Sequence, residues 1–142
     1  MPYKQLKDLV DTAKNFGVTA SYTITLLRRI ATEALTPTDW QEIARAALPS
    51  GQFLDFKSIV QDRAQVQAHI NMHGGHPEWT ADMLLGQWPF DANQINYPFE
   101  VYQQINDINY RAWKSLPNKG ETAGNLTKII QGSTEPFSDY VA

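Results

Sequence analysis

The chain has 142 residues, 42% of them apolar and 19% charged, with a net charge of −3 and a sequence pI of about 5.5. That length suits one domain, or one domain plus part of a second, and the composition is that of a folded protein rather than a disordered one. No basic arm or arginine-rich stripe is present, which disfavours direct nucleic-acid binding, and the absence of cysteine excludes disulfides, Cys-ligated zinc, a zinc knuckle and thiol catalysis.

Helical spacing dominates from the start. Leu6, Leu9, Val10, Ala13 and Phe16 fall on one face of a first helix, with Lys4, Lys7, Asp8, Asp11 and Lys14 around much of the rest. Gly17 is a natural stop, and Thr19 is placed to cap a second helix carrying Tyr22, Ile24, Leu26, Leu27 and Ile30. Thr36-Pro37-Thr38-Asp39-Trp40 gives the clearest helix start: Thr at the N-cap, Pro at the first helical position, and Asp39 completing a capping box. Leu35 and Trp40 are spaced as a hydrophobic staple, and Ile43, Ala44, Ala47 and Leu48 continue the stripe. Pro49 ends this helix, and Ser50 is placed to cap the next.

A long fourth helix is predicted over about 50–72, with Phe53, Phe56, Ile59, Val60, Ala64, Val66 and Ile70 inward, until Gly74-Gly75 breaks it. A loop follows from His73 to Trp79, which Trp79 and Trp88 are expected to anchor on the bundle. A short helix starts at Thr80 with Met83, Leu84 and Leu85, and Asp91 with Gln94 has the spacing of another capped start. Tyr97-Pro98 opens the last long helix, about 98–116, with Val101, Tyr102, Ile105, Ile108, Ala112, Trp113 and Leu116 at spacings of three and four. Pro117 to Gly124 reads as a linker, followed by a helical turn from Leu126 to Ile130. The expected fold is all-α, a compact bundle of six to seven helices with short connections.

Few constellations suggest chemistry. His69 and His73, four apart, would share a helix face as metal ligands often do, with His76 near. No Glu follows His69, however, and the plainer reading is a polar helix end and an exposed loop without metal. Tyr102, Tyr110 and Trp113 sit at core spacing rather than forming a binding stripe. The acidic pairs Asp8 with Asp11 and Glu100 with Asp107 have no His or nucleophile in a recognisable arrangement. No enzymatic activity and no catalytic residue are expected. No apolar run approaches a membrane span, so no membrane contact is expected through this segment.

The tail carries the most specific signal. Gln131-Gly132-Ser133-Thr134-Glu135-Pro136-Phe137-Ser138-Asp139-Tyr140-Val141 resembles the start of the major homology region of retroviral Gag, Q-G-x-x-E-P-F-x-D-(F/Y)-V. Leu35 to Trp40 resembles the start of helix 3 of betaretroviral capsid proteins, and Phe16 to Thr23 resembles the turn between their helices 1 and 2. Ser50 to Ser58, Met83 to Gly86 and Arg111 to Pro117 match in order, so the resemblance covers essentially the whole chain. It is closest to betaretroviruses and related endogenous elements, including intracisternal A-type particles.

The resemblance implies a capsid N-terminal domain over 1–117, an interdomain linker at 118–124, and the start of a C-terminal domain at 125–142. It implies a structural shell protein of a virion or virus-like particle, present inside the producing cell, that partners with itself in hexamers and pentamers and with the rest of Gag. The alternative is a captured domain serving the host as a binding module or restriction factor. Ring contacts are expected on helices 1 to 3, with Lys7, Asp11, Ser21, Thr25, Arg28, Gln41 and Arg45 as candidates. Lentiviral capsids place a basic ring near the start of helix 1, facing a pore that binds polyanions. On that likeness Lys4 and Lys7 would meet a polyanion such as an inositol phosphate in an assembled ring; for either lysine alone a solvated face with Lys–Asp pairs is the preferred reading. No other cofactor is implied. The His76-Pro77 loop lies where some lentiviral capsids present Gly-Pro to a host factor; with His before Pro that partner is not implied, and a passive solvent-facing loop is the preferred reading, with contact to another host factor as the alternative.

The chain departs from the family pattern at both ends. Asp39 matches the aspartate that pairs with the N-terminal proline of mature capsids, and no such proline or hairpin precedes helix 1. The arginine that closes the hydrogen-bond network of Gln131, Gly132 and Glu135, in the major homology region that also holds Phe137, is absent downstream, so residues from about 125 on are expected to be loosely held. Both departures imply a truncated chain.

Overall fold

The computed structural model describes residues 3–117 and contains six helices and no strand among them. They are α1 (Tyr3–Phe16), α2 (Ser21–Ile30), α3 (Pro37–Ala47), α4 (Ser50–His73), α5 (Ala81–Leu85) and α6 (Phe99–Lys114). Helix α1 packs on α2 and α3, whereas α4 packs on α3, α5 and α6, and α6 also reaches α2 and α5. Between these elements lie Leu9, Leu27, Ile30, Trp40, Phe56, Leu84, Ile105 and Trp113, all nearly inaccessible to solvent. None of the described helices is long and apolar enough to cross a membrane.

The helix ends follow local chemistry, with three departures from the sequence reading. At α3 the capping box is complete: Asp39 N donates to Thr36 Oγ1 and Thr36 N donates to Asp39 Oδ2, both at 3.0 Å. Replacing Thr36 with alanine removes one of these partners and should cost about 1 kcal/mol; a lowered urea midpoint at unchanged denaturant slope would register it. At α2 the N-cap is Ala20, not Thr19, and no side chain caps it. Instead Thr23 Oγ1 donates to the Gly17 carbonyl at 2.7 Å, tying the α1–α2 turn to the second helix. Gly17 has φ 107°, a left-handed conformation that favours glycine and swings the chain off α1. At α4 the N-cap is Pro49 and Ser50 is already helical, because only Leu48 and Pro49 separate α3 from α4. The third departure is Asp91, which starts no helix. Gln94 is instead buried in an irregular loop, where its Oε1 accepts from Thr38 N at 3.1 Å and clamps the loop onto the start of α3.

Side-chain burial also departs from helical phase in places. Phe16, Tyr22, Val66 and Ile70 were expected on inner faces and are exposed. Phe16 is the last residue of α1, and the chain turns away at Gly17, so no layer covers it. The inner stripe of α4 runs through Phe56, Val60, Ala64 and Asn71, leaving Val66 and Ile70 on the outer side. Its distal end is held by amides: Gln67 Nε2 donates to Asn71 Oδ1 (3.0 Å), Asn71 Nδ2 donates to Gln104 Oε1 (2.8 Å), and Asn71 Nδ2 also reaches the Trp79 carbonyl (3.2 Å). Trp79 anchors its loop as expected, whereas Trp88 is 79% exposed and anchors nothing. Tyr102 and Trp113 are core residues and Tyr110 is half-buried. Tyr97, whose hydroxyl donates to the Met83 carbonyl, has its pKa pushed up to about 12 by burial, with Tyr102 adding to the shift.

Candidate assembly surface

Helices α1, α2 and α3 carry the predicted contact residues. On α1, Lys4, Lys7 and Asp11 recur at spacings of three and four and are all exposed. Lys7 Nζ lies 3.9 Å from Asp11 carboxylate oxygen, a solvated i,i+4 pair. Such a pair contributes little to stability because water already solvates both charges well. It therefore leaves both side chains available to re-pair with a neighbour.

On α2, Ser21, Thr25 and Arg28 form one exposed stripe. Thr25 Oγ1 donates to the Ser21 carbonyl at 2.9 Å. Arg28 turns toward α6, where its Nε donates to the Tyr110 hydroxyl at 3.2 Å. It sits at the edge of a cleft of about 350 Å³ between the end of α2 and α6, which also holds Phe99, Asn106 and Asp107. Asp107 is engaged by Arg111 at 2.8 Å, a hydrogen bond that raises the arginine pKa further.

On α3, Gln41 is half-buried in a cleft of about 250 Å³ bordered by Pro37, Phe56, Leu84 and Leu85. The Arg45 guanidinium lies 5.3 Å from the centroid of the Phe53 ring on α4, and Lys57 Nζ lies 5.5 Å from the same centroid. The candidates thus form three separate groups: one on α1, one leaning from α2 to α6, and one leaning from α3 to α4. Among the described residues no ion pair joins one group to another.

Asp39 is half-buried, and its Oδ2 is committed to the capping box. Its other oxygen retains acceptor capacity. Gln131, Gly132, Glu135 and Phe137, and the proposed linker and C-terminal segment, lie outside the described residues.

One exposed pair escaped the sequence reading. Phe16 and Tyr22 face each other across the α1–α2 turn with ring centroids 6.0 Å apart, 59% and 60% exposed. Their apolar character and helical phase pointed to the core. The signal against that was their position beside the Gly17 turn, at the outer corner of two helices. In the loop after α4, His76 stacks on Trp79 at 3.8 Å and its Nδ1 lies 3.2 Å from Glu78. The Glu78 carboxyl is held below its ordinary range first by its own backbone N–H and then by His76.

The gag protein p24 N-terminal domain model matches residues 1–120. The intracisternal A-particle Gag-related polyprotein of mouse particle MIA14 is 42% identical over 99% of this chain, which covers 17% of that protein. The Gag polyprotein of sheep pulmonary adenomatosis virus is 36% identical over 100% of the chain, covering 23% of that protein. The Gag polyprotein of Mason-Pfizer monkey virus is 36% identical over 96% of the chain, covering 21% of its own length. The chain therefore spans roughly a fifth of these relatives. With an all-helical bundle and a match across all its described residues, it belongs to the gag protein p24 N-terminal domain family, among betaretroviral and endogenous Gag proteins.

Proposed function

We propose that this chain is a structural capsid segment of Gag that associates with copies of itself in hexamers and pentamers, forming the shell of a retroviral or retrovirus-like particle. The observation that carries the reading is the family match over residues 1–120, together with 36–42% identity to Gag proteins along essentially the whole chain. Its chemistry is weak, repeated, symmetric association rather than catalysis. Lys7, Asp11, Ser21, Thr25, Arg28, Gln41 and Arg45 are the contact residues of this reading. Their solvated or loosely engaged state in the single chain supports it, since little must be broken before a neighbour is met. Six copies of Lys4 and Lys7 around a ring axis would concentrate charge for a polyanion such as an inositol phosphate. Asp39, whose second carboxylate oxygen has no hydrogen-bond partner among the described residues, would accept an N-terminal ammonium in a mature form. The rest of Gag is the second partner, and a particle within the producing cell is the setting.

Individual contacts of this kind are weak, and avidity across a lattice supplies the strength. The test uses a Gag capsid region that contains this segment, imaged by electron microscopy at high protein and salt concentration. Tubes or spheres with a hexameric lattice are the expected result. Charge reversal at Asp11→Lys or Arg45→Glu should raise the assembly threshold several-fold without lowering the unfolding midpoint. Monomers that persist with and without a polyanion would overturn self-assembly. Co-sedimentation of that monomer with a preformed Gag lattice would then favour a captured host binding module.

A further inference from the structure

Helix α4 continues through His73, one residue past the predicted end, so His69 and His73 lie on one face of the same helix at i and i+4. Both are exposed, and their ring centroids are 4.5 Å apart. A tetrahedral cation 2.0–2.1 Å from one nitrogen of each of two imidazoles sets the centroids about 5 Å apart. The two rings as they stand are thus already close to the required separation. The rings now meet edge to face at 72°, and both are exposed, so rotation about their side-chain torsions is open to each. His73 is the final residue of α4, where the partial negative charge of the last carbonyls favours a cation.

We propose that His69 and His73 form a two-ligand chelate for a divalent transition cation of the zinc class. The remaining positions would be open to water or to a donor from another molecule. His76 is engaged elsewhere, its ring stacked on Trp79 and its Nδ1 facing Glu78, so the chelate is assigned to His69 and His73 alone. No group of three His, Asp or Glu residues suited to a metal occurs among the described residues, so the site is a chelate on the surface rather than a closed structural centre. The second imidazole contributes through effective concentration: once one binds, the other is held within reach by a rigid helix turn. This site stands independently of the assembly reading.

Titration of the chain with zinc chloride, followed by calorimetry, tests it. One site per chain is expected. His69→Ala and His73→Ala should each weaken binding at least tenfold, and His76→Ala should leave it unchanged. Adding Gln65→His to His73→Ala rebuilds an i,i+4 pair with His69 on the same helix and should restore affinity to within threefold of the parent. Gln65, His69 and His73 are all exposed, so circular dichroism and the unfolding midpoint should not move. A loss smaller than tenfold in either single variant would overturn the chelate, as would a Gln65→His variant as weak as His73→Ala alone.

Discussion

Replacing Trp113 with alanine should destabilise the fold by about 3–5 kcal/mol, a large part of what holds a domain of this size together. Trp113 is fully buried on α6 and meets Phe56 of α4 edge to face, with ring centroids 5.8 Å apart. Its indole Nε1 donates to the Val18 carbonyl at 2.8 Å. One side chain therefore joins α4 and α6 to the turn between α1 and α2. Truncation leaves a cavity, strips Phe56 of its edge partner and orphans the Val18 carbonyl in the α1–α2 turn. Trp113→Phe keeps much of the packing and loses the N–H, so its cost should be clearly smaller. Urea unfolding of the two variants would separate the packing from the hydrogen bond; equal losses would contradict this account.

Replacing Asn106 with leucine should produce the second large loss. Asn106 Oδ1 accepts from the indole Nε1 of buried Trp40 at 2.9 Å, and Nδ2 donates to the carbonyls of Ala31 (2.9 Å) and Glu33 (2.7 Å). These three partners also set the amide orientation, because only the nitrogen can serve two carbonyls. Leucine leaves the Trp40 N–H without its acceptor, which alone costs about 1–3 kcal/mol, and releases the α2–α3 connection as well. Asn106→Asp gives a distinct signature. Its carboxylate still accepts from Trp40 but faces two carbonyl oxygens, which raises its folded-state pKa above the unfolded value. The penalty should therefore be largest at neutral pH and shrink as acidification protonates the group and restores one donor. An unfolding midpoint for this variant that falls relative to the parent on acidification would contradict the geometry.

Much of this architecture is legible in the chain itself. The Thr36-Pro37-Thr38-Asp39 start reports its own cap, because every participating group lies within four residues. Helices α1, α2, α3 and α6 follow from strong apolar periodicity and from Gly and Pro punctuation, and α4 from its length between Pro49 and Gly74-Gly75; α5 follows from Thr80 and a short apolar run, ended at Gly86, whose φ of 69° makes it a left-handed cap. The core spacing of α6 is likewise local, and all seven residues predicted to face inward there are buried.

Tertiary structure alone decided what depends on a distant partner. Periodicity gives a residue's direction on its helix but not whether another element waits there. Phe16 is exposed because α1 ends there, and Val66 and Ile70 because they lie on the outer side of α4, while Asn71 and Gln94 are buried with hydrogen-bond partners on other elements. Gln94 shows the limit most clearly. Its spacing from Asp91 has the local pattern of a helix start, and a hydrogen bond to Thr38, 56 residues away, holds it in a loop instead. The grouping of the candidate contact residues is of the same kind. Sequence placed them on three helices, and only packing sent Arg28 toward Tyr110 and Arg45 toward Phe53. Caps and stripes depend on neighbours a few residues away; burial and cross-helix pairing depend on contacts that the chain makes only once it has folded.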